Sequence, residues 1–184
     1  MGSKRLVAVS EWGNSPPVYD GVKFSFSRPG VSGDLFGATR VQTIYAYRFN
    51  KSKAGENLYG SHLSFDKLIP QSRLEPYLFW RTRPLVRDEK GTVGDSELIS
   101  TGVRFWGKLN ERVDYTAEVV LQKGTYSRDN VSAWAGSWGL TWLPTQTAWK
   151  PKFLFEYNYA SGDRASGDGS MGTFDQLYPS NHGH

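Results

Sequence analysis

Arg112-Val113-Asp114-Tyr115-Thr116-Ala117-Glu118-Val119-Val120-Leu121-Gln122 is the stretch from which the fold can be read. In an extended chain successive side chains point to opposite faces. Val113, Tyr115, Ala117, Val119 and Leu121 then share one face, while Arg112, Asp114, Thr116, Glu118 and Gln122 share the other, and only Val120 breaks the order. Moving outward, 151–160 repeats the pattern, with Phe153, Phe155, Tyr157 and Tyr159 opposite Lys152, Glu156 and Asn158 and with Leu154 as its exception. Segment 98–109 sets Ile99, Val103, Phe105 and Leu109 against Ser100, Arg104 and Lys108, and 74–83 sets Leu74, Leu78 and Trp80 against Glu75, Arg81 and Arg83. Segment 22–27 alternates Val22, Phe24 and Phe26 with Lys23, Ser25 and Ser27, and 38–49 places Val41, Tyr45, Tyr47 and Phe49 opposite Arg40, Gln42 and Arg48. Weaker alternation at 4–9, 57–66 and 131–143 brings the total to about nine antiparallel strands joined by hairpins, an all-β chain.

Composition bounds this reading without deciding it. The 184 residues are 38% hydrophobic and 15% aromatic, with a mean hydropathy of -0.53, values that an ordinary soluble domain also shows. No apolar run approaches the roughly 18 residues of a membrane helix, which excludes a helical membrane protein. A transmembrane barrel stays open, because only every second side chain of its strands meets lipid and the polar lumen lowers the average. The chain has no cysteine, so it has neither a disulfide framework nor a thiolate metal site. Its net charge of +4 is too mild to imply a nucleic-acid partner. Met1-Gly2-Ser3-Lys4-Arg5 leads directly into a strand-like stretch with no signal peptide. Read literally the chain is not exported, and read as a fragment its signal lies upstream.

Three features favour a membrane over a soluble β-sandwich, which obeys the same alternation. Several segments reach the roughly 9–11 residues of a tilted transmembrane strand, above the soluble mode of about 5–6. Polar or Gly-rich connections around 11–20, 50–57, 85–96, 124–131 and from 161 onward contrast with tighter ones at 109–111 and 143–146, as expected if long loops gather on one rim; 28–37 and 66–73 fit less well. Tyr45, Tyr47, Phe49, Trp142, Trp149, Tyr157 and Tyr159 sit near strand ends, as in the aromatic girdles of a membrane interface.

Two blocks carry a resemblance. Arg5-Leu6-Val7, Glu11-Trp12-Gly13-Asn14 and Tyr19-Asp20-Gly21-Val22-Lys23 form the first, and Glu156-Tyr157-Asn158-Tyr159-Ala160-Ser161-Gly162-Asp163 with Gly172-Thr173-Phe174-Asp175-Gln176-Leu177-Tyr178-Pro179-Ser180-Asn181-His182 forms the second. Together they resemble the bacterial alginate-export family of outer-membrane porins. The resemblance implies an antiparallel up-and-down transmembrane β-barrel of about eighteen strands, monomeric when full length and located in the bacterial outer membrane. The present chain, residues 1–184, would supply about half of it as an internal fragment, with 161–184 as a long loop. An open half-barrel leaves unpaired edges that a bilayer cannot satisfy, so the fragment alone is not expected to conduct.

With apolar faces toward lipid, the opposite faces line the lumen. Arg40, Arg48, Arg81, Arg83, Arg104, Lys108, Arg112 and Lys152 then face the pore, with Glu75, Asp114, Glu118 and Glu156 among them. Guanidinium groups grip a carboxylate in a fork, so such a wall suits an anionic polysaccharide of uronate-like units or a small organic anion, and the interleaved carboxylates keep binding weak. The plainer reading is that the charges pair across strands and stiffen the barrel. A general porin without a dedicated substrate is the alternative within the pore class, and no cofactor is called for.

The tail 161–184 is the expected functional loop. Asp163, Asp168 and Asp175 are oxygen donors for calcium in principle, but their irregular spacing favours a solvated loop, and no metal site is assigned. His182 and His184, with His62 as the remaining histidine, would need carboxylates to complete a metal shell. Gly167, Gly169 and Gly172 match G-x-G-x-x-G with no helix to follow. Ala135-Gly136-Ser137-Trp138-Gly139 narrowly misses the G-x-S-x-G elbow and lies in a strand-like segment. Glu118 and Glu156 form a possible glycosidase pair of unknown separation. An enzyme is therefore not expected. In a soluble carbohydrate-binding domain, Trp134, Trp138 and Trp142, which share a strand face, would stack on sugars; in a barrel they meet lipid.

Overall fold

The computed structural model describes residues 6, 18–42, 51–66, 68–144, 149 and 151–178. The expected strand 4–9, Arg48, the aromatic cluster Tyr45, Tyr47 and Phe49, and both His182 and His184 lie outside the described residues. Eight long strands run in chain order: β1 (Val18–Arg28), β2 (Val31–Gln42), β3 (Lys51–Phe65), β4 (Ser72–Arg87), β5 (Val93–Asn110), β6 (Val113–Tyr126), β7 (Asp129–Trp142) and β8 (Phe153–Ala160). Each pairs antiparallel with its sequence neighbour in the order β1-β2-β3-β4-β5-β6-β7-β8. This is the up-and-down meander of a partial barrel. A ninth strand, β9 (Ser170–Met171), pairs parallel with the Asn130–Val131 end of β7. Strands of 14 to 18 residues in β3 to β7 exceed both the soluble mode and the length needed to cross a bilayer.

Register fixes two faces. Arg104 pairs with Glu118 and Glu75, Ser100 with Gln122 and Phe79, and Leu98 with Arg81, so these side chains share one face across β4, β5 and β6. The tail covers part of this inner face. On the outer face Phe24, Leu35, Leu78, Ile99, Val103, Leu121, Leu140 and Phe155 remain exposed. Their rings form ladders: Tyr59 against Trp80 at 5.1 Å, Trp134 against Tyr159 at 4.5 Å, and Trp138 against Tyr157 at 5.7 Å. A soluble sandwich would bury these rings, whereas here an apolar surface stays bare, as lipid contact requires. On β5 it runs from Ile99 to Leu109, about the span of one membrane crossing. It ends at a polar row in register across β1 to β7: Asp20, Thr39, Asn57, Thr82, Glu97, Thr125 and Asn130. Thr39 donates to Asn57 at 2.7 Å and Asn57 to Thr82 at 3.3 Å, so that even this row satisfies its own hydrogen bonds.

Beyond the row the strands continue, and this corrects the expected loop asymmetry. Much of 85–96 and 124–131 is paired strand, with Arg87 opposite Val93 and Tyr126 opposite Asp129, and 51–57 belongs to β3. Polar composition there reflects strands that leave the bilayer. Two-residue turns occur on both rims, at Ser127–Arg128 on one and at Pro29–Gly30 and Glu111–Arg112 on the other, while 143–152 is a long connection on the rim expected to be tight. Gly30, at φ 90, supplies the left-handed residue that the β1–β2 turn needs. Strand 38–49 shifts to Val31–Gln42, where Gly33 and Gly37 lack the side chains from which alternation is read.

Candidate functional site on the inner face

Ion pairs step along the inner wall. Arg40 on β2 meets Glu56 on β3 at 2.9 Å, and Lys53 meets the other oxygen of Glu56 at 2.5 Å. Arg104 on β5 meets Glu75 on β4 at 3.3 Å, and Tyr77 donates to Glu118 at 2.6 Å. Glycine makes room for the rings in this layer: a Cβ at Gly102, opposite Tyr77, would run into that tyrosine's ring. Cross-strand pairing is therefore one role of these charges, yet it does not use them all. Among the described residues Arg83 and Lys108 form no ion pair.

The tail supplies the remaining partner. Arg81, only 1% exposed, holds Asp175 in a fork, with Nη1 to Oδ1 at 2.9 Å and Nη2 to Oδ2 at 2.5 Å. Gln122 on β6 clasps the same residue by its backbone, donating to the Asp175 carbonyl at 2.6 Å and accepting the Asp175 N–H at 2.9 Å. Burial works against the charge of Asp175. The two guanidinium bonds, the Arg81 charge and the Leu177 N–H outweigh it, and the carboxyl lies below its ordinary value of 3.8. Leu177 follows in a left-handed conformation at φ 59, a strain that persists because the Asp175 carboxylate accepts its N–H at 2.7 Å and its side chain is buried. Met171, Phe174, Leu177 and Tyr178 pack on an apolar patch of the inner wall formed by Leu58, Tyr77, Phe79, Leu98, Val120 and Val131. This accounts for Val120, the residue that broke the alternation of β6. At the rim the Gly167 N–H bonds to the Glu89 carboxylate.

The expected residues therefore divide. Arg40, Arg81, Arg83, Arg104, Lys108, Glu75, Asp114, Glu118 and Glu156 all occupy inner-face register positions. Arg112 sits instead in the exposed turn after β5, and Lys152 lies exposed just before β8, both at a rim. Glu118 faces the Tyr77 hydroxyl and Glu156 accepts from Asn158 at 2.5 Å. The tail aspartates do not converge: Asp163 accepts the Gly172 N–H at 2.9 Å, Asp168 caps Ser170, and Asp175 belongs to Arg81. The described residues contain no group of three or more His, Cys, Asp or Glu able to hold a metal ion. Ala135 to Gly139 is uninterrupted β7 strand, with no strand-to-helix turn for a nucleophile. Gln122, Glu56, Tyr178 and Trp106 are the inner-wall residues that the sequence reading did not single out. For Trp106 a signal existed, since it falls between Arg104 and Lys108 at strand spacing and so shares their face.

No curated protein and no solved structure matches the chain. The family model for alginate export matches residues 1–184, its full length, and the chain therefore belongs to the alginate export family.

Proposed function

We propose that the inner face is the wall of an outer-membrane pathway for an acidic polysaccharide, and that the tail 161–178 is a removable constriction within it. The family is one of export, not of enzymes, and its name supplies the polysaccharide as the cargo class. What carries the finer reading is the Arg81–Asp175 fork. A buried guanidinium on the wall already holds a carboxylate in the two-pronged geometry that a uronate would adopt, and Arg83, two residues along the same strand face, is left without an ion pair. An entering uronate can take the place of Asp175 with no net loss of pairing. The Glu56 and Glu75 carboxylates beside Arg40 and Arg104 offer the same exchange, which keeps each stop brief enough for a chain to move on.

In a planar bilayer the complete protein should pass anions in preference to cations, and added oligouronate should block that current. Replacing Arg81, Arg83 and Arg104 together by glutamine should remove most of the preference. Cation-selective current indifferent to oligouronate would refute the pathway. Anion-selective current indifferent to oligouronate would instead fit a general porin.

A further inference from the structure

We infer that Trp106, with Arg104 and Lys108, forms a distinct subsite that holds one acidic sugar ring of the transported chain. This rests on the reading of the inner face as the pathway. A recess of about 500 Å³ opens beside β5, lined by Arg104, Trp106, Lys108, Asp114, Thr116 and Leu154. Its volume falls in the range of about 300–1,000 Å³ typical of ligand sites. It lies six residues along β5 from Ser100, about 20 Å from the seat of Asp175 at strand rise, so the tail's latch does not fill it.

Three observations define what it takes. An indole stands in a row of ionic side chains, with the Arg73 and Arg104 guanidinium carbons 5.1 and 5.4 Å from its ring centroid. An aromatic ring at a wet wall offers the flat apolar surface that the C–H face of a pyranose covers. The indole Nε1 and the Arg104 Nε are both buried without a hydrogen-bond partner among the described residues. Buried donors are ordinarily paired, so two orphans lining one recess call for acceptor oxygens. Lys108 is exposed, forms no ion pair among the described residues, and is placed to draw a carboxylate, while Asp114, opposite it in register, can accept a sugar hydroxyl. A ring face, acceptor oxygens, a hydroxyl and a negative charge together describe a pyranuronate. A compact inorganic anion lacks the first and a neutral sugar lacks the last.

The experiment titrates the reconstituted complete protein with an oligouronate, a neutral oligosaccharide of equal length and polyglutamate, reading current block. Trp106→Ala should weaken oligouronate binding about tenfold, and well beyond its effect on polyglutamate, while Trp106→Phe keeps part of the loss at bay. Lys108→Gln, at an exposed position that folding tolerates, should weaken the oligouronate several-fold and spare the neutral sugar. Wild-type oligouronate block in Trp106→Ala, or an equal loss for polyglutamate, would overturn the subsite, as would a Lys108→Gln protein that binds the oligouronate normally. Trp106-dependent sugar binding in a barrel without anion preference would uphold the subsite while the pathway reading failed. Intact anion preference with Trp106 irrelevant would remove the subsite alone.

Discussion

Asp175→Ala in the complete protein should free the tail from the inner wall, visible as rapid proteolytic cleavage within 161–178 and a rise in single-channel conductance. The substitution leaves Arg81, 1% exposed, without its counter-ion. Breaking a buried ion pair from one side costs about 3–5 kcal/mol, more than a surface pair by several-fold. The tail's other anchors are comparable in size: two Gln122 hydrogen bonds of about 0.5–1.5 kcal/mol each and the buried Leu177 side chain at about 1.5–3 kcal/mol. Part of those anchors depends on Asp175 itself, since its carboxylate also holds the Leu177 N–H and steadies the left-handed turn there. Detachment lets water reach the guanidinium, so the cheapest response is release of the tail and not unfolding of the sheet. Arg81→Met paired with Asp175→Leu should restore much of the seating, because replacing both charges removes the stranded one. A tail equally protected in Asp175→Ala and wild type would show that the fork does not hold it.

The second large effect belongs to the outer face. Val103→Arg should destabilise the folded barrel by about 2–4 kcal/mol, because Val103 pairs with Val119 in the middle of the apolar surface and its side chain has only lipid to meet. The same change at Leu109, where that surface ends, should cost about 0–1 kcal/mol. Thr116→Arg, on the inner face of the next strand, should be near neutral for stability and alter conductance instead. Urea titration of protein folded into vesicles reads the difference. Equal costs at Val103 and Leu109 would mean that depth in a bilayer is not what the outer face experiences.

How much of this was legible in advance follows from the range of the interactions concerned. Alternation is imposed by the strand itself, so the faces of β4, β5, β6 and β8 could be assigned from residues such as Arg104 and Val103 without knowing any partner. Even the exceptions had causes that only tertiary structure supplies: Val120 lies beneath the tail, and Leu154 is an exposed inward residue lining the Trp106 recess. Strand ends were harder, because polar residues such as Glu97 and Lys123 read as loop although they belong to strands that outlast the bilayer. The latch was not legible. Arg81 and Asp175 are 94 residues apart, and an aspartate in a Gly-rich segment resembles a solvated loop until its partner is known. Gln122 was visible as an inward residue, but nothing local says that its amide will clasp a distant backbone.

The account depends most on which face meets water. The native chain has no cysteine, so single cysteines placed successively from Ser100 to Lys108 on β5 of the membrane-inserted protein give an unambiguous scan. A charged maleimide should label the even positions and spare the odd ones, while a lipid-borne nitroxide should quench fluorophores at the odd positions alone. Labelling without that two-residue period, or with the two sets exchanged, would contradict the assignment of lipid and lumen on which the pathway, the latch and the subsite all stand.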